Sequence, residues 1–203
     1  MKIDPKELNW HKSHDLLTDL VAPRPIAWVA TIGADGIYNL APYSYFTPMC
    51  NQPMILGFSV ARKANGQKKD TLVNIEECKE FVVGVVTEAL AGPMIKSAAA
   101  YPIHVDEFKE ASLTPVPADI VAAPLVSESP VNMECRLLQI LHLYDGPRKN
   151  DFIIGEVVRI HIRDDVIVEN QIDASKLKLI ARLGGRGKAY CRTTDIFNIS
   201  REE

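Results

Sequence analysis

Hydrophobic and polar positions alternate along this chain mostly in short runs. From Pro25 to Ile32, the residues Ile26, Trp28, Ala30 and Ile32 alternate with Ala27, Val29 and Thr31. This period of two, in branched and aromatic types, predicts a strand packed on a pleated surface. Gly33-Ala34-Asp35-Gly36 follows, with two glycines free to take positive φ, and predicts a hairpin into Ile37-Tyr38 and so an antiparallel sheet. Further strand-like runs span Met54 to Val60, Phe81 to Val86, Val131 to Leu143 and Phe152 to Ile162, with a short piece at Val166 to Glu169. Helical signals are fewer. Asp70 can cap a helix running through Cys78, Glu88 to Ala100 is Ala-rich with Pro93 near its start, and Ala174 to Ala181 reads as a helix stopped by the glycines of RLGGRG. Leu113 to Pro130 carries Pro115, Pro117, Pro124 and Pro130 and predicts a long extended surface segment. The order lacks the regular βαβ alternation of a doubly wound fold, so the expected class is mainly β, an antiparallel barrel with added helices. Without a Gly/Ser linker or an internal repeat, residues 1 to 203 are expected to form one domain.

Composition narrows the function classes. The chain has 203 residues, 47% hydrophobic and 24% charged, as an ordinary globular domain does. With 23 Lys+Arg against 26 Asp+Glu, the net charge is −3, so no basic excess points to nucleic acid or an anionic membrane. The start, MKIDPKELNWHKSHD, has no apolar core of a signal peptide, and no window reaches the ~18 apolar residues of a membrane span. A cytoplasmic location is expected. Cys50, Cys78, Cys135 and Cys191 lack zinc-site spacing and are too sparse for a disulfide scaffold, so buried free thiols are expected. The histidines form no HExxH pair, no metal is assigned, and no GxSxG elbow suggests a serine hydrolase.

Two clusters carry candidate chemistry. Pro42 interrupts the strand-like Tyr38 to Phe46; a proline cannot donate to a ladder, so the segment bulges or runs along an edge there. A plain barrel corner and a ligand site account for it equally well. Ser59, Arg62, Lys63, Lys68, Lys69, Asp70 and Thr71 lie between a strand end and a helix start. Cations, hydroxyls and helix-start amides together suit a phosphate monoester, although a solvated basic loop has the same composition.

The run PRPIAWVATIGADGIYNLAPYSYF, then KDTLVNIEECKEFVVGVV, GEVVRIHI and RLGGRGKAY, resembles the flavin reductase-like family of FMN-binding split-barrel proteins, over roughly Leu16 to Tyr190. The resemblance implies a six-stranded antiparallel Greek-key barrel, a homodimer, and FMN held noncovalently in a groove near the subunit interface. By the same likeness Asn39, Ala41, Pro42, Tyr43 and Ser44 line the flavin ring, and Thr31 makes a polar contact at its edge. The implied phosphate segment is Ser59, Val60, Ala61 and Arg62 with Lys68, Asp70 and Thr71. There the Thr71 hydroxyl and helix-start amides donate, Lys68 or Arg62 supplies charge, and Asp70 caps the helix. Tyr43, Tyr45 and Phe46 either border the ring or fill the core, His104 either approaches the flavin or is a surface residue, and Arg182, Arg186 and Tyr190 border the groove. The family's Gly-Asp-His triplet would fall on Arg148, Lys149 and Asn150, so its histidine is absent. The implied activity is transfer of hydride or electrons from NAD(P)H through FMN to flavin or a partner protein; the missing histidine keeps open a noncatalytic FMN carrier.

Overall fold

The computed structural model describes residues 1–63, 65–144, 149–184 and 189–199. Arg148, Gly185, Arg186 and Gly187 lie outside them. A short 3-10 turn at Pro5–Glu7 precedes α1 (Trp10–Leu20), which Asn9 starts by accepting from the Lys12 N–H at 3.0 Å. Then come β1 (Ala27–Ile32), β2 (Tyr38–Tyr43), β3 (Phe46–Asn51), β4 (Met54–Ala61), α2 (Asp70–Cys78) and β5 (Glu80–Gly84). α3 (Ala91–Ser97), α4 (Glu107–Glu110) and the two-residue strands β6 (Pro115–Val116) and β7 (Leu125–Val126) follow. The long pair β8 (Val131–Tyr144) and β9 (Asn150–Ile162) precedes β10 (Ile167–Val168), β11 (Gln171–Ile172), α5 (Ala174–Leu177), β12 (Ile180–Arg182) and β13 (Tyr190–Arg192).

The main sheet is antiparallel with the order β2-β1-β5-β8-β9-β4-β3. Its outermost strands, β2 and β3, are consecutive in the chain and separated only by Ser44 and Tyr45. The Ser59 N–H donates to the Tyr45 carbonyl at 2.9 Å, so the sheet curls back on itself at this corner. Counting β2 and β3 as one bent strand recovers the six-stranded barrel. The chain bends at Ser44-Tyr45 rather than at Pro42, which sits opposite Trp28 on the free edge of β2, where its missing N–H breaks no ladder.

Both faces of the barrel wall are buried, which explains why β1 reads as a continuous apolar run. Ala27 and Val29 point into one cluster with Leu56, Phe58, Leu72, Ile75, Phe81 and Ile153. Trp28 and Ala30 point into another with Leu40, Met94, Phe108, Leu113, Val121 and Val126. Trp28 Nε1 donates to Ser97 Oγ at 2.9 Å, tying α3 to the wall. The hairpin forms as expected, with Gly36 at φ 80 and the Gly33 N–H on the Ile37 carbonyl at 2.9 Å.

Several expectations need correction. Residues 113 to 130 are not a surface segment. Leu113, Val121, Ala123, Leu125 and Val126 are buried over the outer face, and Glu134 holds this stretch by accepting from the N–H groups of Asp119 (3.0 Å), Ile120 (2.7 Å) and Val121 (2.9 Å). Glu134 also pairs with His161 at 2.6 Å; burial opposes its charge, yet these partners leave its carboxyl below the usual range. The expected helix over 174–181 stops at Leu177, with Lys178 in the left-handed region. Ile180 and Ala181 are buried instead as β12, and the Ile180 N–H donates to the Val86 carbonyl at 3.1 Å, because backbone partners outweigh helix propensity there. The expected helix over 88–100 is a 3-10 turn at Glu88–Leu90 followed by α3. Of the thiols only Cys135 is buried; Cys50 is exposed, Cys78 and Cys191 are half-buried, and all four are free.

Candidate functional site

A cleft of about 380 Å³ opens along the free edge of β2, between the start of α2 and the residues after α3. Asn39, Ala41, Pro42 and Tyr43 form one side, Arg62, Lys63, Lys69, Asp70 and Thr71 one end, and Ala98 to Tyr101 with Glu107 the cover. Past Pro42, Ala98 and Ala99 it adjoins a second lobe of about 400 Å³ lined by Ile26, Ser44, Met94, Ile95, Arg182 and Tyr190. Each lobe falls in the range of small-molecule sites.

The floor is a buried polar network built by register and helix packing. β1–β2 pairing sets Thr31 opposite Asn39, and α2 brings Thr71 and Asn74 against them. Asn39 Nδ2 donates to Thr71 Oγ1 at 2.8 Å and to Thr31 Oγ1 at 3.3 Å; Asn74 Nδ2 donates to Thr31 Oγ1 at 3.0 Å. The Tyr43 hydroxyl donates to Thr71 Oγ1 at 2.9 Å, and its pKa is raised, chiefly by burial. Tyr43 therefore stays a neutral donor and holds the hydroxyl of α2's second residue in place.

The basic end has three cations in three different states. Arg62 follows β4 and pairs with the buried Asp151, Nε to Oδ2 at 2.7 Å and Nη2 to Oδ1 at 3.2 Å. The Nε contact is an ion pair without good hydrogen-bond alignment, since neither atom has a hydrogen-bond partner by angle. Asp151 also contacts His142 Nδ1 at 2.6 Å. Lys63 pairs with Asp70 at 3.0 Å. Lys69 has no carboxylate partner among the described residues; its ammonium lies 5.6 Å from the Tyr43 ring centre. Burial, then the charge of Lys63, lowers its pKa. The third and fourth N–H groups of α2, of Leu72 and Val73, donate to the Lys69 carbonyl, while those of Asp70 and Thr71, which line the same end, have no partner within the helix. Anion binding is what this arrangement favours.

No pattern in the sequence marks Glu107, the first residue of α4. It is 7% exposed and accepts from the Leu40 N–H at 3.1 Å. Burial raises its pKa to about 7, its own and the Leu40 N–H work against that, and Asp70 and Asp106 add to it. The only trace in the sequence is Asp106, which caps α4 through the Phe108 N–H at 3.0 Å.

The structure brings Asn39, Ala41, Pro42, Tyr43, Arg62, Asp70 and Thr71 together in the cleft and places Ser44 in the adjoining lobe. Thr31 is buried beneath the floor. Ser59, Val60 and Ala61 belong to β4, paired with Phe152, Asp151 and Asn150, and do not line the cleft. Lys68 points away and pairs with Glu76; its neighbour Lys69 faces the cleft. Asp70 is the first residue of α2 and binds Lys63 instead of capping, while Lys69 occupies the cap position without a side-chain bond. Tyr43 both borders the cleft and packs on Phe58, with ring centres 5.3 Å apart. Tyr45 turns toward Arg24, 5.8 Å away. Arg182 stacks on Tyr190 at 4.6 Å in the second lobe, and His104 faces Asp35 outside the cleft.

Residues 21–176 match the model of the flavin reductase like domain. The chain belongs to that family. A flavin reductase-like relationship also accounts for the whole-chain likenesses. An uncharacterized protein of Aquifex aeolicus is 37% identical, covering 92% of this chain and 93% of that one. The crystal structure of nitrilotriacetate monooxygenase component B from Bacillus cereus has a TM-score of 0.93 and 34% identity, covering 98% of both chains. That of 2-nitrobenzoate 2-nitroreductase NbaA from Pseudomonas fluorescens has a TM-score of 0.88 and 29% identity, covering 100% of this chain and 96% of that one. The split-barrel fold and flavin-related oxidoreductase chemistry follow for this chain. Among the described residues no helix is long and apolar enough to cross a membrane.

Proposed function

We propose that this protein is an FMN-dependent oxidoreductase of the flavin reductase type, passing hydride or electrons from NAD(P)H to free flavin or to a partner protein. The observation that carries the cofactor assignment is Lys69, a partly buried cation without a carboxylate partner among the described residues, beside the open amides of α2. A phosphate monoester would supply the missing charge, with Lys63 and a remaining Arg62 N–H as further donors. Ala41 to Ser44 and the second lobe would hold the ring system, and the Tyr43 hydroxyl would keep Thr71 oriented. FMN supplies the hydride and electron chemistry when bound, and the protein supplies position and electrostatics. Glu107, able to gain or lose a proton near neutrality, would hold a proton at the cleft wall.

A homodimer is part of this proposal. Leu138, Leu141, Leu143 and Tyr144 on the second half of β8 are each exposed, apolar area that a second subunit would cover. Asn150, where the resemblance expected a histidine, favours a second reading, a carrier that is reduced by a protein partner rather than by nicotinamide. Purified protein incubated with FMN and passed over a desalting column tests the cofactor: a retained yellow colour is expected, and a colourless product would overturn it. Anaerobic mixing with NADH or NADPH then separates the readings, since bleaching supports the reductase and its absence with both leaves the carrier.

A further inference from the structure

Of the three cations at the basic end of the cleft, Arg62 is neutralised by Asp151 and Lys63 by Asp70, whereas Lys69 has no carboxylate partner among the described residues. Its stem leaves the cap position of α2 and carries Nζ to 5.6 Å from the centre of the buried Tyr43 ring. An ammonium placed there loses water, gains only a ring face, and shares the cleft end with two other positive side chains. Both conditions favour the neutral amine, and the lowered pKa of Lys69, from burial first and Lys63 second, agrees with them. Lys68, one residue earlier, is exposed and paired with Glu76, and so provides an internal control.

A desolvated lysine amine beside another cation is a nucleophile toward carbonyl carbon. Its surroundings select which carbonyl compounds reach it. The Asp70 and Thr71 N–H groups have no partner within α2, and Arg62 and Lys63 line the same end, so an incoming phosphate monoester is anchored next to the amine.

We infer that Lys69 is a reactive amine and that this cleft takes phosphorylated aldehydes as reversible covalent ligands, joined to Lys69 as an imine. Such a ligand uses the phosphate end assigned to FMN but does not depend on FMN binding. In the step, the Nζ lone pair bonds to the aldehyde carbon and one nitrogen-bound proton passes through solvent to the carbonyl oxygen, giving a carbinolamine. Its hydroxyl then leaves as water with the second nitrogen-bound proton, and a carbon–nitrogen double bond remains. Nothing is oxidised or reduced, and hydrolysis returns amine and aldehyde. The adduct and FMN exclude one another, because both place a phosphate on the same amides.

The test is addition of pyridoxal 5′-phosphate to the FMN-free and the FMN-saturated chain, followed by borohydride to fix the imine and by peptide mass mapping. Lys69 should carry at least ~10-fold more label than Lys68, and pyridoxal, which lacks the phosphate, should label Lys69 at least ~10-fold less, as expected for losing a charged hydrogen bond. Labelling of Lys69 should persist to lower pH than that of Lys68, and bound FMN should block it. Lys69→Arg, which keeps a cation and cannot form an imine, should lose the label, with circular dichroism confirming the fold. Equal labelling of Lys68 and Lys69, equal labelling by pyridoxal, or undiminished labelling with FMN bound would each overturn the inference. A chain that retains no FMN yet is labelled selectively at Lys69 would uphold it while ending the flavin reading.

Discussion

Lys68 and Lys69 are adjacent in sequence and opposite in prospects. Lys68 is tied to Glu76 on the exposed side of α2, while Lys69 is partly buried at the end of the cleft beside Lys63. Replacing Lys69 by Met keeps the stem against Tyr43 and removes the charge. A hydrogen bond between charged partners contributes ~1.5–3 kcal/mol, so FMN should bind roughly 10- to 150-fold more weakly. Riboflavin, which lacks the phosphate, should bind Lys69→Met and the parent alike. Lys68→Met should change FMN affinity by less than about fivefold, a surface pair being worth ~0–1 kcal/mol. Titration by flavin fluorescence quenching reads all three, with circular dichroism confirming the fold. The reasoning fails if Lys68→Met costs as much as Lys69→Met, or if riboflavin loses as much as FMN.

Burial raises the Glu107 pKa from 4.5 to about 7, so the folded state prefers the protonated form; stability is full below about pH 4.5 and falls as pH rises through 7. The upper bound on that loss is ~3 kcal/mol, and Glu107→Gln should abolish the slope in urea unfolding between pH 5 and 8; an unchanged slope refutes the assignment. At Gly155 an added Cβ would stand 2.4 Å from Phe81 Cζ inside the barrel, so Gly155→Ala should lower unfolding free energy by ~1–3 kcal/mol in the same assay. Removing the Glu134 carboxylate strands the N–H groups of Asp119, Ile120 and Val121, and Glu134→Ala should cost at least ~3 kcal/mol, with faster amide exchange at 119–121; a cost below ~1 kcal/mol would contradict this.

What could be read in advance depended on how local the cause was. The β1–β2 hairpin was legible because Gly33 to Gly36 fixes a turn within four residues and the flanking runs alternate. β3 was not separated from β2, because the bend at Ser44-Tyr45 follows from closure of the sheet, a long-range demand with no local mark. Ile180 and Ala181 read as helix because Val86, whose carbonyl accepts from the Ile180 N–H, lies far away in sequence. In the site, Pro42 and the basic loop stood out by residue type alone. The choice between Lys68 and Lys69 did not, since it depends on how α2 is rotated against the barrel, and Glu107 reaches the cleft only through the packing of α4 on β2.

At Ser44-Tyr45 one stretch of chain changes neighbours midway, leaving β2 without a strand on its far side among the described residues. The opening along β2 is therefore a seam in the wall rather than a hole cut through it. A guest can enter or leave there without any rung of the sheet coming apart, so its exchange does not have to wait for the protein to unfold locally.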